Sequence, residues 1–308
     1  MKYGLPYQGS KSKIAKDIIA ALPPADYLYD LFAGGCAIAH CALKSGKYKK
    51  VFVNDLNTAP QLFLDALNGK YRNEKRWISR EQFHAEKETN PYIRWVWSFG
   101  NDGRDYLFGK DVELLKKAAH EYLFKNGYDG TKEKRIKLIK QFKADKKIKG
   151  RFELQRLQQL EQLERLQKLQ QLEQLEQLEQ LEQLQQLERL QKLQQLERLE
   201  RLERRMFVSQ KDYRKIKIKS HSVIYCDIPY CHKLGYKEKY YGIEFDAEAF
   251  YNWARAANFP VYFSSVYAPK DFKVVWKKET QCKMINKNSR GKKVIVERLF
   301  WNGVTICK

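Results

Sequence analysis

Apolar residues recur along the chain with two different periods. Short runs rich in β-branched and aromatic residues, Tyr27 to Phe32, Val51 to Asp55, Val223 to Asp227, Val261 to Ser265, Val274 to Lys277 and Val294 to Phe300, read as buried strands. Between them Lys11 to Leu22, Ala37 to Lys44, Val112 to Lys125 and a stretch near Asp246 to Asn258 read as helices. Alternation of strand and helix predicts an α/β sheet. Because the strands come from both ends of the chain, residues 57 to 205 are predicted to be inserted into it.

Within the insertion the pattern changes. From Leu154 to Leu202 every third residue is leucine, seventeen in all, and the positions between hold only Gln, Glu, Arg and Lys. These are strong helix formers, but a step of three falls short of the ~3.6 residues of an α-helical turn and the ~3.5 of a coiled coil. Each leucine is displaced by ~60° from the last, so no face of an α-helix stays apolar. A 3₁₀ helix would align the leucines in one stripe, but long runs of it are uncommon. The segment is predicted to be a helical spacer, α or extended 3₁₀, with self-association through its leucines as the alternative.

Charge narrows the class of partner. Lys+Arg 59 against Asp+Glu 37 gives +22, which points to a polyanion, nucleic acid first. Residues 151 to 205 carry ten basic and eleven acidic side chains, net −1, so the remaining 253 residues hold +23. The repeat is therefore not the polyanion grip. Between Lys132 and Lys149 nine Lys or Arg face Glu133 and Asp145, with Ile136, Leu138, Ile139, Phe142 and Ile148 interleaved. This predicts a helix with one packed side and one phosphate-facing side, on which Lys140, Lys143 and Lys147 are candidate DNA contacts; a merely solvated face is the alternative. Lys211, Arg214, Lys215, Lys217 and Lys219 form a second cluster.

No apolar stretch reaches the ~18 residues of a membrane span, and the first residues lack the apolar core of a signal peptide, so a soluble, cytoplasmic protein is expected. The six cysteines show neither paired C-x-x-C spacing nor a histidine at finger spacing. They are expected to be reduced and mostly packed, with no metal.

Three segments carry candidate chemistry. The first strand ends in Asp30-Leu31-Phe32-Ala33-Gly34-Gly35-Cys36 directly before a helix, the arrangement that lets a ligand approach backbone at a helix N-terminus; such turns also simply connect elements. The second strand ends in Asn54-Asp55-Leu56-Asn57, and an acid at that place can accept hydrogen bonds from ribose hydroxyls or cap the helix that follows. The strand Val223 to Asp227 leads into Ile228-Pro229-Tyr230. It delivers an acid, a proline and an aromatic to the carboxyl edge of the sheet, suited to a flat polar ring bearing an amine, or else forms a strand-ending turn with a core tyrosine.

Taken in order, Tyr7-Gln8-Gly9-Ser10-Lys11, Phe32-Ala33-Gly34-Gly35, Asn54-Asp55-Leu56-Asn57 and Asp227-Ile228-Pro229-Tyr230 resemble the Dam-type DNA adenine-N6 methyltransferase family. The resemblance implies a Rossmann-like methyltransferase sheet with an inserted, mainly helical target-recognition region. It divides the chain into a catalytic domain from 1–56 and 206–308, a DNA-binding region at 57–150 and the repeat at 151–205. It implies S-adenosylmethionine as cofactor, with Tyr7, Gly9, Lys11, Asp30, Phe32, Gly34 and Asp55 at its site. Asp227, Pro229 and Tyr230 would act on a flipped-out adenine of double-stranded DNA. Trp97 to Arg104 looks like the family's target-recognition stretch, which makes Arg104 a candidate DNA contact, with an ordinary surface loop as the alternative. The implied setting is restriction and modification in a bacterial or phage-infected cell.

Two departures stand out: Cys36 occupies a position where a third glycine is common, and Ile228 replaces the first proline of the tetrapeptide. The alternative functions are a catalytically weak or inactive DNA-binding homologue and a methyltransferase acting on RNA or protein glutamine.

Overall fold

The computed structural model describes residues 3–71, 74–128, 131–157, 203–229, 237–240, 243–282 and 293–306. Its strands are β1 (Tyr27–Asp30), β2 (Lys50–Asn54), β3 (Met206–Ser209), β4 (Ser222–Asp227), β5 (Lys237–Tyr240), β6 (Ile243–Asp246), β7 (Val261–Ser265), β8 (Lys273–Cys282) and β9 (Lys293–Trp301). Seven of the described strands form one sheet in the order β3-β2-β1-β4-β7-β9-β8. From β3 to β7 all pairings are parallel; β9 runs antiparallel to both β7 and β8, while β5 and β6 form a separate antiparallel pair. This is the α/β sheet expected from the alternating pattern, and its order fits the Rossmann-like sheet that the family resemblance implies. β1 and β4 sit in the middle and are buried along nearly their whole length, which is why both read as continuous apolar runs.

The described helices are α1 (Ala15–Ala21), α2 (Ala37–Ser45), α3 (Ala59–Leu67), α4 (Arg80–Glu86), α5 (Pro91–Val96), α6 (Glu113–Lys125), α7 (Lys132–Leu157) and α8 (Ala247–Ala256). The expected helix from Lys11 to Leu22 opens as a separate 3₁₀ turn, Lys11–Lys13, capped by the Ser10 hydroxyl, before α1 begins. Ala15, Ile18, Ile19 and Leu22 bury one face at i, i+3, i+4, i+7. α8 repeats the spacing with Ala247, Phe250, Tyr251 and Ala254 and is capped by Asp246, whose Oδ1 accepts from Ala249 N at 2.9 Å.

The described residues fall into two compact units, one drawn from Met1–Gly69 and Leu199–Lys308, the other from Lys70–Arg198. The first holds the sheet. In the second, Trp77 stacks on Phe108 with ring centroids 5.3 Å apart and meets Trp97 and His120 edge-on. α7 packs on α6 through Leu138 and Ile139 against Leu123, Phe124 and Tyr128. Its inner side is corrected in one respect: Arg135 is buried with Leu138, whereas Ile136 is exposed. α7 continues to Leu157, so Leu154 and Leu157 of the repeat lie on α-helical backbone; leucines from 160 to 202 lie outside the described residues. Among the described residues no helix is long and apolar enough to cross a membrane, and Cys36, Cys41 and Cys226 are free and buried.

Candidate active site

The order of the sheet changes direction between β1 and β4. β2 and β3 lie beyond one, β7 beyond the other, and the carboxyl ends flanking such a switch are where open α/β sheets bind ligands. Asp30 ends β1 and Asp227 ends β4, so register alone brings two of the expected site residues to this edge.

The glycine turn after β1 is shaped by its neighbours. Gly34 has φ +47°, and a Cβ there would stand 2.8 Å from Cε1 of Tyr7, whose ring lies over the turn. The Leu5 N–H donates to Gly35 O at 2.7 Å and the Gly4 N–H to His40 Nδ1 at 2.9 Å, which fasten the N-terminal segment across the same turn. Cys36 then starts α2 with φ +60° and is completely buried. That left-handed conformation costs an L-residue roughly 1–2 kcal/mol, which is the physical reason the position favours glycine.

Asp55 closes the turn from the other side. Its Oδ2 accepts the Gly34 N–H at 2.7 Å, and its Oδ1 accepts from Asn57 N at 3.0 Å and Asn57 Nδ2 at 2.8 Å. Asn57 Nδ2 also donates to Tyr7 Oη at 2.9 Å. The helix-cap alternative for Asp55 is not what is observed. Thr58 occupies the cap position of α3, and Asn57 Oδ1 accepts from Ala59 N at 2.8 Å.

Lys11 bridges two elements. Its Nζ lies 2.8 Å from Asp227 Oδ1 and 3.6 Å from Glu297 Oε1 on β9. The Asp227 carboxyl is raised to about 6, by burial above all, with Lys11 opposing the rise and Glu297 and Asp55 adding to it. Asp30 is 1% exposed and held well above the usual carboxylate range by burial and then by Asp227 and Asp55. Its Oδ2 accepts from Ala39 N at 3.2 Å in the first turn of α2, and its Oδ1 has no hydrogen-bond partner. Asp55 is also raised by burial, against the N–H groups of Asn57, Gly34 and Leu56 that lower it.

The remaining expected residues are placed as follows. Phe32 is half-buried against Tyr213 (5.1 Å between centroids), Phe245 and Phe250. Gly9 is exposed in the turn between Tyr7 and Lys11. Ile228 is buried in the cluster that includes Phe250 and Ala247, so the residue replacing a proline is a core contact, and Pro229 is half-buried beside it. Tyr230 lies outside the described residues.

In the second unit Arg104 is exposed and paired with Asp102. On α7, Lys140 is exposed, Lys143 is half-buried, and the Lys147 side chain lies outside the described residues.

Two further residues bear on this edge: Asn54, which the sequence marks only as a member of its motif, and Glu297, which it does not single out. Asn54 donates through Nδ2 to Lys211 O (2.9 Å) and Leu31 O, and its Oδ1 accepts from Lys211 N and Ser209 Oγ. It fastens the exit of β3 to β1. Glu297 is an acid in phase with Leu299 on the inward face of an apolar strand, and that misplaced charge was the available signal.

Residues 7–98 match the family of D12 class N6 adenine-specific DNA methyltransferases. The resemblance to DNA adenine-N6 methyltransferases therefore holds over the stretch containing Tyr7, Lys11, Asp30, Gly34 and Asp55, and it supports that class of activity. No curated protein matches the chain in sequence.

Proposed function

We propose that the protein transfers a methyl group from S-adenosylmethionine to N6 of an adenine turned out of double-stranded DNA, at a specific site. The observation that carries this reading is the placement of Asp227, at the end of β4 and followed by Ile228-Pro229-Tyr230, beside the glycine turn of β1 at the switch in the sheet.

The residues present fit the cofactor. When bound, S-adenosylmethionine supplies a methyl group activated by a sulfonium, and the molecule also carries an ammonium. Asp30, Asp55 and Asp227 are all held above the ordinary carboxylate range by burial, with mutual repulsion adding to it at Asp30 and Asp227, a condition that a cationic ligand relieves. Asp30 Oδ1 is a buried acceptor without a partner. Gly34 leaves the turn open enough for Tyr7 to lie against backbone.

For the transfer itself this chain must position an amine and stabilise charge developing on it. Asp227 would accept a hydrogen bond from N6, and the Ile228 carbonyl before Pro229 would be a second acceptor, helping the nitrogen leave its planar, delocalised geometry. Tyr230 would stack on the base and offset part of the unstacking cost. The basic face of α7 would hold phosphates. The test is Asp227→Ala, measured by N6-methyladenine formed in DNA and by calorimetric titration with S-adenosylmethionine. Methylation is expected to fall by about two orders of magnitude or more with cofactor affinity nearly kept. Undiminished methylation would remove Asp227 from the reaction.

A further inference from the structure

Lys11 is shared unequally between two carboxylates, at 2.8 Å from Asp227 and 3.6 Å from Glu297, and all three side chains are largely buried. In the methyl-transfer reading, on which this inference rests, Asp227 must offer an oxygen to the substrate amine, and an amine that takes Oδ1 displaces Lys11 from it. An ammonium in such surroundings cannot simply let go, because a buried unpaired charge is costly. We propose that Glu297 is a positioning residue, the second acceptor that takes up the Lys11 ammonium when the substrate amine engages Asp227. No proton changes hands. The step exchanges one hydrogen-bond acceptor of Lys11 for another.

The surroundings leave Glu297 suited to this. It projects from β9, the antiparallel strand inserted between β7 and β8, and its cross-strand neighbour Lys278 is engaged by Asp17 at 2.7 Å. The next residue, Arg298, donates to the Val266 carbonyl at 2.7 Å. Among the described residues the titratable groups around Asp227 are Lys11 from the 3₁₀ turn, Glu297 from β9, Asp55 after β2, Asp30 on β1, and Tyr225 and Cys226 on β4. The Tyr225 hydroxyl is tied to Ser264 Oγ at 2.8 Å. Glu297 and Lys11 act on Asp227 in opposite directions, which gives the arrangement a measurable signature.

The experiment follows the Asp227 carboxyl by ¹³C NMR against pH in the ligand-free full-length protein, with the resonance assigned by its loss in Asp227→Asn. The parent midpoint is expected at about 6. Glu297→Gln removes a negative charge and leaves Asp227 the one carboxylate of the two facing Lys11. Both changes lower the midpoint, by about one pH unit. In the same variant turnover at saturating substrate is expected to fall about ten-fold, with affinity for S-adenosylmethionine close to the parent's. Glu297→Asp keeps the charge and should recover most of both. A Glu297→Gln protein with the parent's circular dichroism and melting temperature but an unmoved midpoint would overturn the proposal, as would parental turnover. So would a Glu297→Asp variant as slow as Glu297→Gln. Because the titration needs no methyl transfer, a parent that methylates no DNA sinks the functional reading and leaves the coupling of Glu297 to Asp227 decided separately.

Discussion

Asp55 and Gly34 are joined by a 2.7 Å hydrogen bond from the Gly34 N–H to Asp55 Oδ2, so the residue after β2 holds the backbone of the turn after β1. The other oxygen of the same carboxylate holds Asn57, and Asn57 holds Tyr7. One side chain thus connects three stretches of the candidate cofactor site. Asp55→Ala should therefore act on both shape and affinity. Leaving a buried donor without its acceptor costs ~1–3 kcal/mol, so the melting temperature should fall by several degrees. Binding of S-adenosylmethionine should weaken at least about ten-fold as Gly34 and Tyr7 lose their common anchor. Calorimetry on the folded variant separates the two, and parental affinity would show that the turn holds itself.

His40 gives the sheet unit a defined response to acid. Its Nδ1 accepts the Gly4 N–H at 2.9 Å, which assigns the neutral ring with its proton on Nε2. Burial, with a smaller push from Lys44, lowers its pKa to about 4 from the ordinary 6.5. Between those values the unfolded chain binds the proton and the folded protein does not. The contribution is fully present above about pH 6.5 and is lost as pH falls towards 4. From pH 7 to 4.5 the loss from this group is ~2 kcal/mol. Asp30, Asp55 and Asp227, raised in the fold, work in the opposite sense over the acid range, so the parent's total slope is a mixture. Denaturant titrations at both pH values, parent against His40→Gln, isolate the histidine; equal pH dependence in the two proteins would contradict the assignment.

The sequence made the centre of the sheet legible because its central strands are buried on both faces. Val223 to Asp227 and Val261 to Ser265 could hardly be anything but strands, and the sheet pairs them in parallel. β3 was not foreseen. Met206–Ser209 is four residues long, follows directly on the leucine repeat, and leaves Phe207 exposed at the sheet edge, so it lacks the apolar density that marked the others. The acids at strand ends, Asp30, Asp55 and Asp227, were visible because they interrupt apolar runs at the edge where ligands bind. Glu297 lies within a strand instead of at its end, so the sequence marks it only as a charge on the inward side of an apolar strand, and its tertiary pairing with Lys11 gives it its place. The preference for glycine at position 36 likewise follows from a backbone φ of +60°, which spacing alone cannot disclose.

Asp102 and Arg104 carry the last prediction. The Asp102 carboxylate accepts the Arg104 backbone N–H at 2.9 Å through Oδ1 and the Arg104 Nε at 2.8 Å through Oδ2, two residues away in the chain. The loop around them is fixed by Gly103 N donating to Ser98 Oγ at 2.9 Å and by Asn101 Nδ2 donating to Trp95 O at 2.8 Å. Arg104 is therefore an exposed guanidinium held in one plane by a neighbouring acid. A surface pair of this kind adds at most ~1 kcal/mol to stability, so Arg104→Ala should leave the melting temperature almost unchanged. A planar fork held in place is suited to two hydrogen bonds on a base edge, and its charge, already balanced by Asp102, should release few counterions on binding. We expect Arg104→Ala to weaken binding to the preferred DNA site by ~1–3 kcal/mol while changing neither the affinity for unrelated sequences nor the salt slope. Asp102→Ala should reproduce part of that loss, since it frees the guanidinium without removing it. Fluorescence anisotropy with matched and mismatched duplexes at several salt concentrations decides the matter. A uniform loss across all sequences, with a shallower salt slope, would make Arg104 a phosphate contact and deny it any part in choosing the site.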